Sequence, residues 1–218
     1  MIVDFPPSAL QELNFVDILT QRAQYQPEKT AYTFLHFGKE LDTSLTYRDL
    51  ELQVRSLAAR LQRAGYQGKP VLLLYPSGLE YITAFLACLY AGVIAVPLYP
   101  PHSPRMIPRI QAIINDTQAT LALTTARVQD EICRRFIDIR ELQHLRWMAT
   151  DTLSITGDQN WERPALKRDS VAFLQYTSGS TSTPKGVMVS HGNLLHNSKM
   201  IGAQMELSER DRGVSWLP

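Results

Sequence analysis

Between Val71 and Ala149 the chain switches repeatedly between two hydrophobic periods, and few folds tolerate that. Apolar runs of strand length at Val71–Tyr75, Val93–Leu98, Thr120–Thr124 and Leu145–Ala149 alternate with helical spacing at Gly78–Ala91, Pro108–Asp116 and Arg127–Ile137. A strand that is apolar throughout must be buried on both sides, and helices between such strands supply the cover. The pattern therefore predicts an α/β fold, a layered and mostly parallel sheet covered by helices. The connector from Val96 to Pro108 holds five prolines. Helices start badly before proline, so the spacing predicts a helix that begins on Pro108 itself.

Residues 1–69 lead into this unit, which occupies 70–150. Asn14 can cap a first helix carrying Phe15, Ile18, Leu19 and Ala23, closed by Pro27, with a short strand from Ala31 to Phe37. Thr46 and Asp49 resemble a capping box with the shorter acid, and Leu50, Val54, Leu57, Ala58 and Leu61 then recur at helical spacing until Gly65. The window Tyr81–Pro101 carries no charge and is about as long as a membrane span. Gly92, the β-branched residues after it and Pro97 instead predict a buried helix handing over to a buried strand.

Charge excludes some partners. With 22 basic and 21 acidic residues the formal net charge is +1, which gives no electrostatic case for nucleic acid or an anionic membrane. Cys88 and Cys133 are the two cysteines and form no CxxC, so they are expected as reduced thiols in or near the core. No basic-then-apolar leader opens the sequence, and a cytoplasmic location is expected.

Residues 151–169 are polar and link the layered unit to the final one, 170–218. There the apolar run Val171–Leu174 passes into Gln175–Gly186, QYTSGSTSTPKG, with six serine and threonine hydroxyls, two glycines and Lys185. Hydroxyls donate hydrogen bonds, glycines let backbone amides approach an anion, and the lysine supplies a point charge, so the loop suits phosphates. A Walker A loop is excluded, because Pro184 and Gly186 flank the lysine where that motif needs glycine and a hydroxyl residue. A ligand-free Ser/Thr-rich turn is the competing reading, but ten ordered positions after a buried strand are more specific than composition. Val187–Val189 predicts a return strand, which makes a hairpin around the loop, and Asn193–Met205 a helix with Leu194, Leu195, Met200 and Ile201. Such a long hairpin loop is either functional or disordered. His102 reads as a loop residue. His191 reads as a helix cap or surface packing residue, and His196 is no stronger a candidate base.

Tyr176-Thr177-Ser178-Gly179 and Pro184-Lys185-Gly186 resemble the signature loop of the AMP-forming acyl-activating enzymes, usually YTSGTTGxPKG. Ser180 and Ser182 depart from it, and that combination looks most like the fatty acyl-AMP ligases. AGVIAVPLYPP at Ala91–Pro101, VMVSHGNLLHN at Val187–Asn197 and VSWLP at Val214–Pro218 are similar to the same family, so the likeness runs from about Asn14 to the last residue. The resemblance implies that ATP and a fatty acid form an acyl-adenylate with release of pyrophosphate, and that the acyl group passes to an acyl carrier protein. It implies that Thr177, Ser178, Gly179, Ser180 and Thr181 hold the β- and γ-phosphates and that Lys185 offsets charge building on the pyrophosphate. The chain would then be the N-terminal part of the large domain. The acyl tunnel, the adenine and ribose contacts, the magnesium-binding glutamate and a C-terminal lysine would lie beyond Pro218. Alone, such a piece is expected to be inactive, and the open apolar edge of a strand starting near Gly213 is expected to favour self-association or a disordered signature loop. An AMP-forming acyl-CoA synthetase or peptide-synthetase adenylation domain shares the loop chemistry, and a noncatalytic nucleotide-binding or docking module is the alternative of another class.

Overall fold

In the computed structural model, residues 14–36, 42–155, 160–177, 184–208 and 210–215 are described. Two capping boxes open the fold. The Asn14 side chain accepts from the Val16 amide at 2.9 Å while Asp17 accepts from the Asn14 amide at 2.8 Å, starting α1 (Phe15–Tyr25). Thr46 and Asp49 exchange the equivalent bonds at 3.1 and 3.3 Å to start α2 (Tyr47–Arg63). Between these helices lie β1 (Thr30–Phe34) and β2 (Thr43–Thr46), an antiparallel pair that forms a small sheet of its own. The strand expected at Ala31–Phe37 is thus β1, with Phe37 outside the described residues. β2 is a strand the sequence does not announce.

The central sheet is built from β3 (Pro70–Leu74), β4 (Ile94–Leu98), β5 (Leu121–Thr124), β6 (Arg146–Ala149), β7 (Val171–Thr177) and β8 (Lys185–Ser190). Its order is β6-β5-β3-β4-β7-β8, parallel throughout except for the antiparallel pair of β7 with β8. Side chains alternate across the pleat. Val71 and Leu73 of β3 enter one core with α1, α2 and α3 (Leu79–Ala91), whereas Leu72 and Leu74 enter a second core with α4 (Ile107–Thr117), Ile132 of α5 (Ala126–Arg135) and Leu142 of α6 (Arg140–Gln143). Two-sided burial explains why these strands read as unbroken apolar runs.

The charge-free window resolves into α3 and β4, and no helix among the described residues is long and apolar enough to cross a membrane. Gly92 makes the turn between them at φ +67°, and the Val93 amide reaches back to the Cys88 carbonyl at 2.9 Å. α4 begins at Ile107, one residue before the expected Pro108, because a short 3₁₀ turn at Pro104–Met106 leads into it.

The polar connector, described over 151–155 and 160–169, packs onto α2 and α3. Gln62 of α2 clasps Glu162 with both ends of its amide, donating to the carbonyl at 2.7 Å and accepting from the amide at 3.1 Å. The Trp161 indole donates to the Tyr90 carbonyl at 2.9 Å, with the Arg55 guanidinium 4.6 Å above its ring. This strap delivers the chain to β7 across the face formed by α2 and α3.

Three expectations fail in whole or in part. Among the described residues, 213–215 belong to no strand, and Val214 is 80% exposed; Trp216, Leu217 and Pro218, where the expected strand would end, lie outside them. Cys88 is buried as expected, but Cys133 is exposed on the outer side of α5. His191 is buried, not a surface residue, and the cap of α7 (His191–Gln204) is Ser190.

Candidate functional site

The hairpin of β7 and β8 carries the expected site. Its ladder fixes the register: Gln175 faces Val187, Tyr176 faces Gly186, and Thr177 faces Lys185. Lys185 and Gly186 are thus part of the strand, two residues earlier than the apolar run at Val187 suggests, because cross-strand bonds to Tyr176 and Thr177 outweigh their weak strand preference. Thr177 and Lys185 stand opposite one another, both exposed, where the hairpin leaves the sheet. Ser178, Gly179, Ser180 and Thr181 lie outside the described residues.

The site sits where the topology favours ligands. β3 and β4 are neighbours, yet the chain leaves β3 for α3 on one face and β4 for α4 on the other. A crevice opens beyond the carboxyl ends of strands at such a switch point. Here it is a cleft of about 560 Å³. Tyr75–Ser77 after β3, Pro97–Tyr99 around the end of β4, Arg109 and Ile110 of α4, and Gln175 and Tyr176 of β7 contribute to its wall. The wall is largely apolar and aromatic. Tyr75 is buried and shares a 2.8 Å hydrogen bond with Thr150, and burial holds its phenol well above the usual range, so it stays protonated.

Tyr176 joins the cleft to the hairpin. Its hydroxyl donates to Asp116 near the end of α4, and its carbonyl accepts from Arg109 Nη2 at 3.1 Å. Burial first, then the neighbouring Asp116 carboxylate, keeps the Tyr176 phenol protonated. Motif reading singles out the hydroxyl residues and Lys185 but misses Arg109 and Asp116, which only packing of α4 onto β7 brings there. The position of the cleft could have been found from the switch-point rule once strand order was known.

His191 faces no part of this cleft's lining. It is the first residue of α7, its amide donates to the Ser170 carbonyl at 3.0 Å, and burial depresses the imidazole pKa below its usual value. Burial thus favours its neutral form. His102 is exposed, and its carbonyl accepts from Arg135 at 3.0 Å.

The family model described as AMP-binding enzyme matches residues 19–218. The chain belongs to the AMP-binding enzyme family. Among curated relatives of this family, it is 38% identical over 207 residues to the medium-chain-fatty-acid acyl-carrier-protein ligase JamA of Moorena producens (strain JHB), covering 93% of this chain and 35% of that protein. It is 37% identical over 201 residues to the long-chain-fatty-acid AMP ligase FadD32 of Mycolicibacterium smegmatis, covering 90% of this chain and 32% of that protein. A crystal structure of fatty acid AMP ligase from Legionella pneumophila superposes with a TM-score of 0.84 at 37% identity, over 94% of this chain and 35% of that one. The chain thus spans about a third of the length of the relatives it matches. The mostly parallel sheet with helices on both faces is the α/β architecture that the family resemblance implies.

Proposed function

We propose that the chain is the N-terminal part of the large domain of a fatty acyl-AMP ligase, and that its β7–β8 hairpin binds the β- and γ-phosphates of ATP. The observation that carries this reading is the register that sets Thr177 against Lys185, directly after Gln175 and Tyr176, which line the switch-point crevice. A hydroxyl and an ammonium group at one end of a hairpin, with Ser178, Gly179, Ser180 and Thr181 between them in sequence, suit a polyphosphate.

In the proposed reaction a fatty-acid carboxylate oxygen attacks the α-phosphorus of ATP. A new oxygen–phosphorus bond forms as the bond to the departing pyrophosphate breaks, giving acyl-AMP. Two anions must meet and charge must leave on the pyrophosphate, so the rate depends on neutralisation and in-line placement. Lys185 supplies positive charge where the pyrophosphate departs, and Thr177 anchors the start of the phosphate loop. Among the described residues no group of three or more His, Cys, Asp or Glu side chains is arranged to hold a metal ion. Magnesium would be held by the ATP phosphates together with the glutamate expected beyond Pro218, where it would help offset phosphate charge, and no step above runs through it.

The acceptor is the finer part of the proposal: an acyl carrier protein thiol takes the acyl group and AMP leaves. JamA, the relative at 38% identity, is named for that acceptor. Incubating the full-length ligase with ATP, a radiolabelled fatty acid, coenzyme A and a carrier protein decides the point. Acyl-AMP and acyl-carrier protein are expected as the main products; acyl-CoA as the main product would move the protein to the acyl-CoA synthetases.

For the 218-residue chain alone, inactivity and self-association are part of the same reading. β8 is the edge of the sheet, and Met188 of β8, Met200 of α7 and Met205 at its end are 71%, 57% and 65% exposed, so an open edge and apolar surface are presented to a second copy. A cytoplasmic site of action fits this chemistry.

A further inference from the structure

Both ends of the proposed phosphate loop are held through one side chain. Tyr176 precedes Thr177, Gly186 follows Lys185, and the two face each other in the ladder. The Tyr176 ring lies across Gly186 so closely that a Cβ there would sit 2.8 Å from Cζ and 3.0 Å from the hydroxyl oxygen. Any side chain there would have to push the Tyr176 ring aside. From this position the hydroxyl reaches Asp116, while Arg109 holds the Tyr176 carbonyl at 3.1 Å. Arg109 and Asp116 are seven residues apart on α4, about two turns, so they lie on one face of the helix. One helix therefore grips the last buried residue of β7 at its backbone and at the tip of its ring, and the ring presses on β8.

From this convergence we infer that Asp116, Tyr176 and Gly186, with Arg109, form a clamp that positions the loop for the adenylation step. The inference rests on the reading of the hairpin as the ATP site. Tyr176 is a positioning residue: it touches neither end of the loop through its hydroxyl, but fixes the strand ends from which Thr177 and Lys185 project. Packing alone would need the ring and not the hydroxyl, and Asp116 is exposed, so it contributes little to the core. A displacement of about 1 Å at a reacting centre can cost on the order of 10²-fold in rate, which is the scale on which a loosened clamp would act.

The test uses the full-length ligase and the variants Tyr176→Phe, Asp116→Ala, Asp116→Asn and Tyr176→Phe/Asp116→Ala. Pyrophosphate exchange at saturating ATP is expected to fall at least about 10-fold in Tyr176→Phe and Asp116→Ala, and no further in the double variant, because one bond is lost in all three. Asp116→Asn keeps an acceptor and is expected to retain most of the activity. Amide hydrogen exchange on the same proteins reads the clamp without relying on the chemistry. Faster exchange confined to the β7–β8 hairpin is expected in Tyr176→Phe, with β3 and β5 unchanged. Hairpin exchange equal to wild type overturns the clamp, as does a loosened hairpin with an unchanged rate, or single losses that multiply in the double variant. A wild-type ligase with no adenylation activity but a hairpin loosened by Tyr176→Phe would sink the ATP-site reading and leave the mechanical clamp standing.

Discussion

Replacing Lys185 by alanine in the full-length ligase is expected to slow adenylation by about 10²–10³-fold at saturating ATP, the scale for removing one charge-stabilising group from a transition state. The residue is exposed at the first position of β8, and its backbone ladder to Thr177 survives the substitution, so the fold should change little. On the proposed reading its charge is needed most as the bond to pyrophosphate breaks. The loss should therefore appear in kcat more than in the Michaelis constant for ATP. Lys185→Arg keeps the charge but changes its shape and reach, and an intermediate rate is expected. Fatty-acid-dependent pyrophosphate exchange checks all three statements. A wild-type rate in Lys185→Ala would reduce the residue to a strand-end lysine.

The largest effect on stability is expected at Leu73. It is fully buried on β3, between β4 and β5, and its side chain enters the core shared with α2 and α3. Truncation to alanine removes buried methyl groups and leaves a cavity that a strand paired on both sides cannot collapse to fill, at a cost of about 2–5 kcal/mol. That is a large part of the roughly 5–15 kcal/mol by which domains are stable. For a chain of this size the thermal midpoint should drop by roughly 4–20 °C. Leu52 of α2, 41% exposed, is the control, and Leu52→Ala should cost less than about 0.5 kcal/mol. Equal shifts in the two variants, measured by calorimetry, would contradict the placement of β3 at the centre. The consequence reaches the site, since Tyr75–Ser77 continue directly from this strand into the cleft wall.

What could be read from the sequence was whatever is decided locally or by two-sided burial. The continuous apolar runs of β3, β4 and β5, the capping boxes at Asn14 and Thr46, and the glycine turn at Gly92 each carry their own signal. β2 does not, because TSLT is polar and becomes a strand only by pairing with β1. α6 is a single turn, too short for a period to show. The start of α7 was misplaced because its capping box uses Asn193 where the usual signature has glutamate or glutamine. His191 is buried because the chain before β7 folds over the start of α7, with the Gly192 amide 2.7 Å from the Arg168 carbonyl. Of the candidate site, the motif marks Thr177 and Lys185, which the ladder sets opposite one another, whereas Arg109, Asp116 and the cleft depend on which strands become neighbours.

The most direct measurement is exchange of labelled pyrophosphate into ATP by the purified full-length ligase, with a medium- or long-chain fatty acid, with amino acids, and with no acid. The fatty acid is expected to elicit exchange and the other two conditions to give background, because reversible acyl-adenylate formation requires the carboxylate that becomes activated. Exchange driven by an amino acid and not by any fatty acid, or no exchange under any condition, would contradict the central claim that this hairpin serves fatty-acid adenylation.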